Sequence, residues 1–166
     1  LGFGPGNGEA EPLPTRLRLP DSTRLQILVD TTQHLTDYAQ VWYPVRQELT
    51  GAVFAAYPVF LVNRSPDTLL LGAGSHPRLQ LEACDPQRQW RPIERPSSYL
   101  CGVGLRSIQL RPGQLALMTV PRQAGRYRTR LRLRLPWARH PGPAASPVSA
   151  DFAGAIELSQ FEEHYE

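Results

Sequence analysis

Apolar and polar residues alternate most cleanly from Arg126 to Leu135. Tyr127, Thr129, Leu131, Leu133 and Leu135 fall on one side, and Arg126, Arg128, Arg130, Arg132 and Arg134 on the other. Period-two alternation over ten residues specifies a strand with one buried face. The same reading predicts short strands at residues 15–19, 24–29, 68–71, 78–84, 90–94, 99–103, 106–110 and 148–158. At 114–120 Leu115, Leu117 and Thr119 share one face of a further strand. The continuous apolar run from Tyr57 to Val62 reads as a buried strand. Turn chemistry separates these runs: Asn63-Arg64-Ser65-Pro66-Asp67, Gly72-Ala73-Gly74, Pro112-Gly113 and Gln123-Ala124-Gly125. One stretch departs from the pattern. Leu35, Tyr38, Ala39 and Trp42 lie at i, i+3, i+4 and i+7, with Asp30 before them as a cap and Pro44 after them as a stop. One short helix or irregular segment is therefore expected near residues 31–43, against the strand character of Val41-Trp42-Tyr43.

Short strands at regular spacing with turn signals predict an all-β sandwich or barrel. The 166 residues suit one domain at 15–161, with a Gly-, Pro- and Glu-rich arm at 1–14 and an acidic tail at 162–166. Thirteen Gly and seventeen Pro favour turns over long helices. No run approaches the ~18 apolar residues of a membrane-spanning helix. The chain opens on Leu1 and lacks a charged-then-apolar leader pattern, so any export signal is expected to have been removed.

All eighteen basic residues are Arg. The absence of Lys removes Schiff-base and phosphate-loop lysine chemistry and leaves forked, permanently charged guanidinium groups. Ten Arg and no acid lie between Arg95 and Ala150, whereas five acids and no Arg lie between Asp151 and Glu166. Five like charges on one strand face, about 6.8 Å apart, repel unless something answers them. Arg126, Arg128, Arg130, Arg132 and Arg134 are thus the candidate binding residues. Their counter-charges are expected from acids on neighbouring strands, from the acidic tail or a partner protein, or from an anionic glycan. Nucleic acid is the least supported partner, because single-strand binders interleave aromatics with the charges and Tyr127 points to the other face.

No catalytic or cofactor pattern emerges. His34, His76, His140 and His164 show no ligand spacing, and two cysteines without Cys-x-x-Cys make no zinc site. Gly72-Ala73-Gly74-Ser75-His76 is not a nucleophile elbow, since Pro77 follows His76. Gly102-Val103-Gly104 lacks the third Gly of a dinucleotide loop. Asn63-Arg64-Ser65 nominally accepts a glycan, but Pro66 follows it. No catalytic residue, metal or cofactor is assigned. Trp90, six residues after Cys84, suits a local core or loop anchor rather than the inter-sheet Trp of antibody domains. Cys84 and Cys101 form a candidate disulfide in an exported chain; the alternative is two buried free thiols.

Several stretches together resemble a family. They are Tyr57-Pro58-Val59-Phe60-Leu61-Val62-Asn63, Glu82-Ala83-Cys84-Asp85, Trp90-Arg91-Pro92-Ile93-Glu94 and Gly125-Arg126-Tyr127-Arg128-Thr129, closed by Phe152-Ala153-Gly154-Ala155-Ile156 and Gln160-Phe161. The pattern resembles uncharacterised exported bacterial proteins with an immunoglobulin-like antiparallel β-sandwich, over residues 57–161. The resemblance implies that sandwich and a periplasmic or outer-surface location, and it implies no activity. The expectation is a non-enzymatic accessory or structural subunit that binds another envelope protein. The alternative is a surface module that binds an anionic polymer or glycan through the Arg-rich face.

Overall fold

The computed structural model describes residues 17–18, 21–43, 48–73, 77–94, 107–136 and 146–162. Among these residues the regular elements are eleven strands and one short 3-10 turn. The strands are β1 (Leu17–Arg18), β2 (Leu25–Val29), β3 (Leu35–Tyr43), β4 (Glu48–Asn63), β5 (Thr68–Ala73) and β6 (Gln80–Cys84). They continue with β7 (Trp90–Pro92), β8 (Ser107–Leu110), β9 (Leu115–Pro121), β10 (Tyr127–Arg134) and β11 (Phe152–Ile156), and the turn spans Leu158–Phe161. The architecture is all-β, largely antiparallel and sandwich-like. The expected strand at 99–103 and most of the arm at 1–14 and tail at 162–166 lie outside the described residues.

The helix expected near residues 31–43 is corrected: Leu35–Tyr43 is a strand. Nine register pairs with β4, from Leu35↔Ala56 to Tyr43↔Glu48, hold it extended. Thr36, Tyr38, Val41, Trp42 and Tyr43 favour that extended state. Asp30 does not cap a helix. Its carboxylate accepts hydrogen bonds from the Thr32 amide (2.9 Å) and hydroxyl (2.6 Å), an Asx turn that carries β2 into β3.

β4 organises one sheet. Its second half lies between β2 and β9, through Leu25↔Asn63 to Val29↔Val59 and Ala56↔Pro121 to Val62↔Leu115. Among the described residues its first half pairs with β3 alone, as a two-stranded ribbon. Tyr38 and Val53, opposite each other there, are 55% and 69% exposed, so the ribbon runs past the core. A second sheet runs β11-β10-β6-β7, and a third β1-β5-β8.

The sheets close on one core. Leu25, Ile27, Val59, Leu61 and Val120 of the first sheet meet Leu81, Ala83, Leu131, Leu133 and Ile156 of the second. Leu69, Leu71 and Leu110 join from the third, and Phe161 of the terminal turn caps the edge. Each fully buried Leu or Ile contributes roughly 1.5–3 kcal/mol against leaving it in water. Asn63, only 1% exposed, ties the ends together. Its side-chain amide donates to the Asp67 and Leu110 carbonyls (2.8 and 2.9 Å), and its side-chain oxygen accepts from the Ser65 amide. Its backbone exchanges hydrogen bonds with Gln114 and Gly113. The Asn63-Arg64-Ser65 triplet is thus a structural corner. Gly72 sits at a register shift within β5, with φ +139°.

Asp21, Asp30 and Asp37 each accept a threonine hydroxyl, from Thr23, Thr32 and Thr119 respectively. That bond is the leading cause that holds each carboxyl below its ordinary 3.8. A folded-state value below the unfolded one contributes stability that is complete above 3.8 and is lost as pH falls through the folded values. Urea melts between about pH 5 and about pH 3 are expected to show falling stability. Replacing Asp21, Asp30 and Asp37 by Asn should flatten that slope.

Candidate functional site

The Arg ladder is built on β10, and the second sheet decides its fate. Leu131 and Leu133 face the core, so Arg128, Arg130, Arg132 and Arg134 project to the opposite, outer face. β6 runs alongside with Arg132↔Glu82 and Arg134↔Gln80 in register, and β11 lies on the other side with Arg128↔Ala155 and Arg130↔Ala153. Of the strand expected at 78–84, the structure forms Gln80–Cys84, with the alternation kept in its register with β10. Leu81 and Ala83 go inward, and Glu82 comes to the Arg face.

Glu82 is 4% exposed and lies between two guanidinium groups. Arg132 Nε donates to Glu82 Oε2 at 2.7 Å. Arg134 Nε lies 2.9 Å from Glu82 Oε1, close enough for charge attraction without the alignment of a hydrogen bond. Arg130 pairs with Asp151 at 3.0 Å, nearer the solvent. Trp90 lies on the same face. The Arg132 and Arg130 guanidinium carbons stand 4.2 and 5.5 Å from its ring centroid, within cation–π range. The β6–β7 turn places it there. Asp85 exchanges backbone hydrogen bonds with Gln89 and Arg88, its side chain accepts from the Gln89 amide at 2.8 Å, and Cys84 then pairs with Trp90. Trp90 is therefore half-buried beneath arginines beside the β6–β7 turn, as a loop anchor outside the shared core.

Three of the five ladder residues are thus answered within the chain. Arg126 and Arg128 are exposed and make no ion pair among the described residues. Of the described acids in the C-terminal segment, Asp151 answers Arg130, whereas Glu157 and Glu162 form no ion pair with the ladder among the described residues. The terminal turn sits by Arg91 instead, whose Nη2 donates to the Phe161 carbonyl at 3.1 Å. Tyr127 faces away from the ladder, as the alternation implies. Its hydroxyl donates to the Cys84 carbonyl (3.3 Å) and its ring meets Phe161 edge-on. Cys84 is a buried free thiol, 3.9 Å from Arg130 Nη2. Cys101, the other half of the candidate disulfide, lies outside the described residues.

Two further features were not legible in the sequence. The first is an apolar face. Cross-strand neighbours share a face, so β2, β4 and β9 set Leu28, Phe60 and Leu117 in one row, with Gln26, Val62 and Leu115 in the next. This is the outer side of the first sheet. Ala116, Met118 and Val120 turn inward, while Leu115 and Leu117 are 60% and 61% exposed. The shared face of Leu115, Leu117 and Thr119 is correct, and it is the outward one. The second feature is a cleft of ≈ 360 Å³ where the β11 edge of the second sheet meets the end of β9. Tyr57, Pro121 and Arg122 form one wall, and Arg128 with the Phe152–Ala155 stretch forms the other.

No family model, curated protein or solved structure matches the chain.

Proposed function

We propose that this chain is a non-enzymatic accessory or structural subunit of the bacterial cell envelope, exported and bound to another envelope protein through the outer face of the β2-β4-β9 sheet. The observation that carries the reading is the contiguous apolar surface of Leu28, Phe60, Val62, Leu115 and Leu117. Antiparallel sheets commonly solvate one face with polar side chains. Two leucines more than half exposed in one strand, backed by Phe60 and Val62, instead make the kind of patch that marks a protein interface. Gln26, Arg64 and Thr119 supply a polar rim, with Arg64 Nε donating to Gln26 Oε1 at 3.0 Å. An apolar centre with a polar rim suits a partner of the same character. The envelope location draws its support from the resemblance read over residues 57–161.

An anionic polymer lying along all five arginines is the weaker reading. Glu82 and Asp151 already occupy Arg130, Arg132 and Arg134, and two carboxylates offset most of those three charges.

Tagged wild-type chain and a Leu117→Glu variant, each captured from detergent-solubilised envelopes, test the proposal. A stoichiometric partner should stay with the wild type through a high-salt wash and fall by about tenfold or more with the variant. The substitution is at an exposed position and should change stability by no more than about 0.5 kcal/mol. A wild-type chain that is a partner-free monomer would overturn the reading. So would a partner held equally by both chains.

A further inference from the structure

β11 is the outermost strand of its sheet. Among the described residues it pairs only with β10, and no other backbone hydrogen bond reaches Phe152–Ile156. In an antiparallel edge strand, alternate residues aim their N–H and C=O groups away from the sheet. Proteins normally guard such an edge with Pro, an inward charge or a bulge. The edge here reads Phe152-Ala153-Gly154-Ala155-Ile156, with no charge and no Pro, and its pairing with β10 runs in unbroken register.

The cleft lies along this edge. Four consecutive β11 residues, Phe152 to Ala155, line it. Consecutive residues point to opposite faces of a sheet, so a cleft that touches all four follows the backbone edge. Arg128 reaches it from β10 because its neighbour on the outer face is the small Ala155. Arg122 stands on the opposite wall. Both guanidinium groups are exposed, and neither pairs with an acid among the described residues. The volume falls in the lower part of the range for binding clefts, roughly 300–1,000 Å³.

We infer that the open edge of β11 takes an extended acidic peptide as an added strand, with Arg122 and Arg128 holding its carboxylates. Main-chain pairing supplies the affinity in such strand addition, and side-chain pockets select the sequence. Forked guanidinium groups suit carboxylates in particular. The geometry favours a peptide over an acidic sugar. A sugar cannot answer a row of backbone donors and acceptors in register. In addition, the Tyr57 and Phe152 rings meet each other edge-on at 6.3 Å and 81° rather than offering a flat stacking platform. The inference uses none of the residues of the apolar β2-β4-β9 face, so either can fail without the other.

The experiment is a fluorescence-anisotropy titration of the full chain with a labelled octapeptide of alternating valine and glutamate, at low salt. Saturable binding is expected. It should weaken by about tenfold or more when the peptide carries N-methyl groups at every second amide, which block strand pairing. It should weaken by a similar factor, about tenfold, in the Arg122→Gln, Arg128→Gln double variant and with lysine in place of glutamate. The N-methylated arm uses the wild-type chain, so the result does not depend on the variant folding. Absence of saturable binding overturns the inference. So does binding that ignores N-methylation, which would leave only charge attraction. Binding of an oligogalacturonate in place of the peptide also overturns it, in favour of an acidic glycan.

Discussion

Replacing Glu82 by Gln is expected to destabilise the fold by about 3 kcal/mol, read as a lower urea midpoint with an unchanged slope. The carboxylate is buried, and two guanidinium groups depend on it: Arg132 through a 2.7 Å charge-assisted hydrogen bond and Arg134 through proximity. Removing one member of a buried set leaves the other charges without compensation, and that penalty exceeds the net worth of the pair. We expect the lower end of the usual range because Arg134 is 37% exposed and keeps some water. The melting temperature should fall by roughly 6–12 °C for a chain of this size. Arg130→Gln is the control. Its pair with Asp151 is solvent-exposed on both sides, 62% and 37%. Its loss should cost no more than about 1 kcal/mol. Equal effects at the two positions would mean that Glu82 is not the centre of the ladder.

Gly125→Ala should be nearly as damaging, by a different mechanism. A Cβ at Gly125 would land on the carbonyl group of Ile156 and the amide of Glu157. These are backbone atoms at the end of β11 and cannot rotate away. The turn before β10 and the end of β11 would have to separate, at a cost of about 2–3 kcal/mol. Gly125 also lines the cleft, so acidic-peptide binding should weaken along with stability. Gly113 gives the contrast. Nothing lies near its missing Cβ, but its φ of +71° disfavours a side chain. Gly113→Ala should cost about 1 kcal/mol, and Gly113→Asn less, since Asn tolerates that backbone region. Thermal melts of the three variants separate crowding from backbone strain.

The parts of this fold that sequence reveals are those with a local period. β10 was legible because ten residues alternate without a break, and the second half of β4 because its apolar run is continuous. β3 misleads because Leu35, Tyr38, Ala39 and Trp42 meet the helical spacing. Its β-branched and aromatic residues fit nine pairs with β4, and that pairing decides the matter. The ladder was visible as charge, but its answer was not. Glu82 lies fifty positions from Arg132, and only the β6–β10 register brings them together. No local pattern encodes that register. The apolar outer face failed for the same reason. Alternation in β9 separates Leu115 and Leu117 from Ala116 and Met118. Which set turns inward depends on what β9 pairs with. The cleft combines the end of β9, one residue of β4 and the edge of β11, so it exists only in three dimensions.

Asn63 makes the long strand β4 behave like a ruler with one fixed end. β2, β3 and β9 are all measured against β4. Asn63 at its terminus is bonded to Asp67, Leu110, Gln114 and Gly113. A slip of one residue anywhere along β4 would have to carry that buried amide out of its sockets. It would also invert every inward and outward side chain in three pairings at once. Errors in assembling this sheet are therefore all-or-none: a chain has either the one alignment or no first sheet at all.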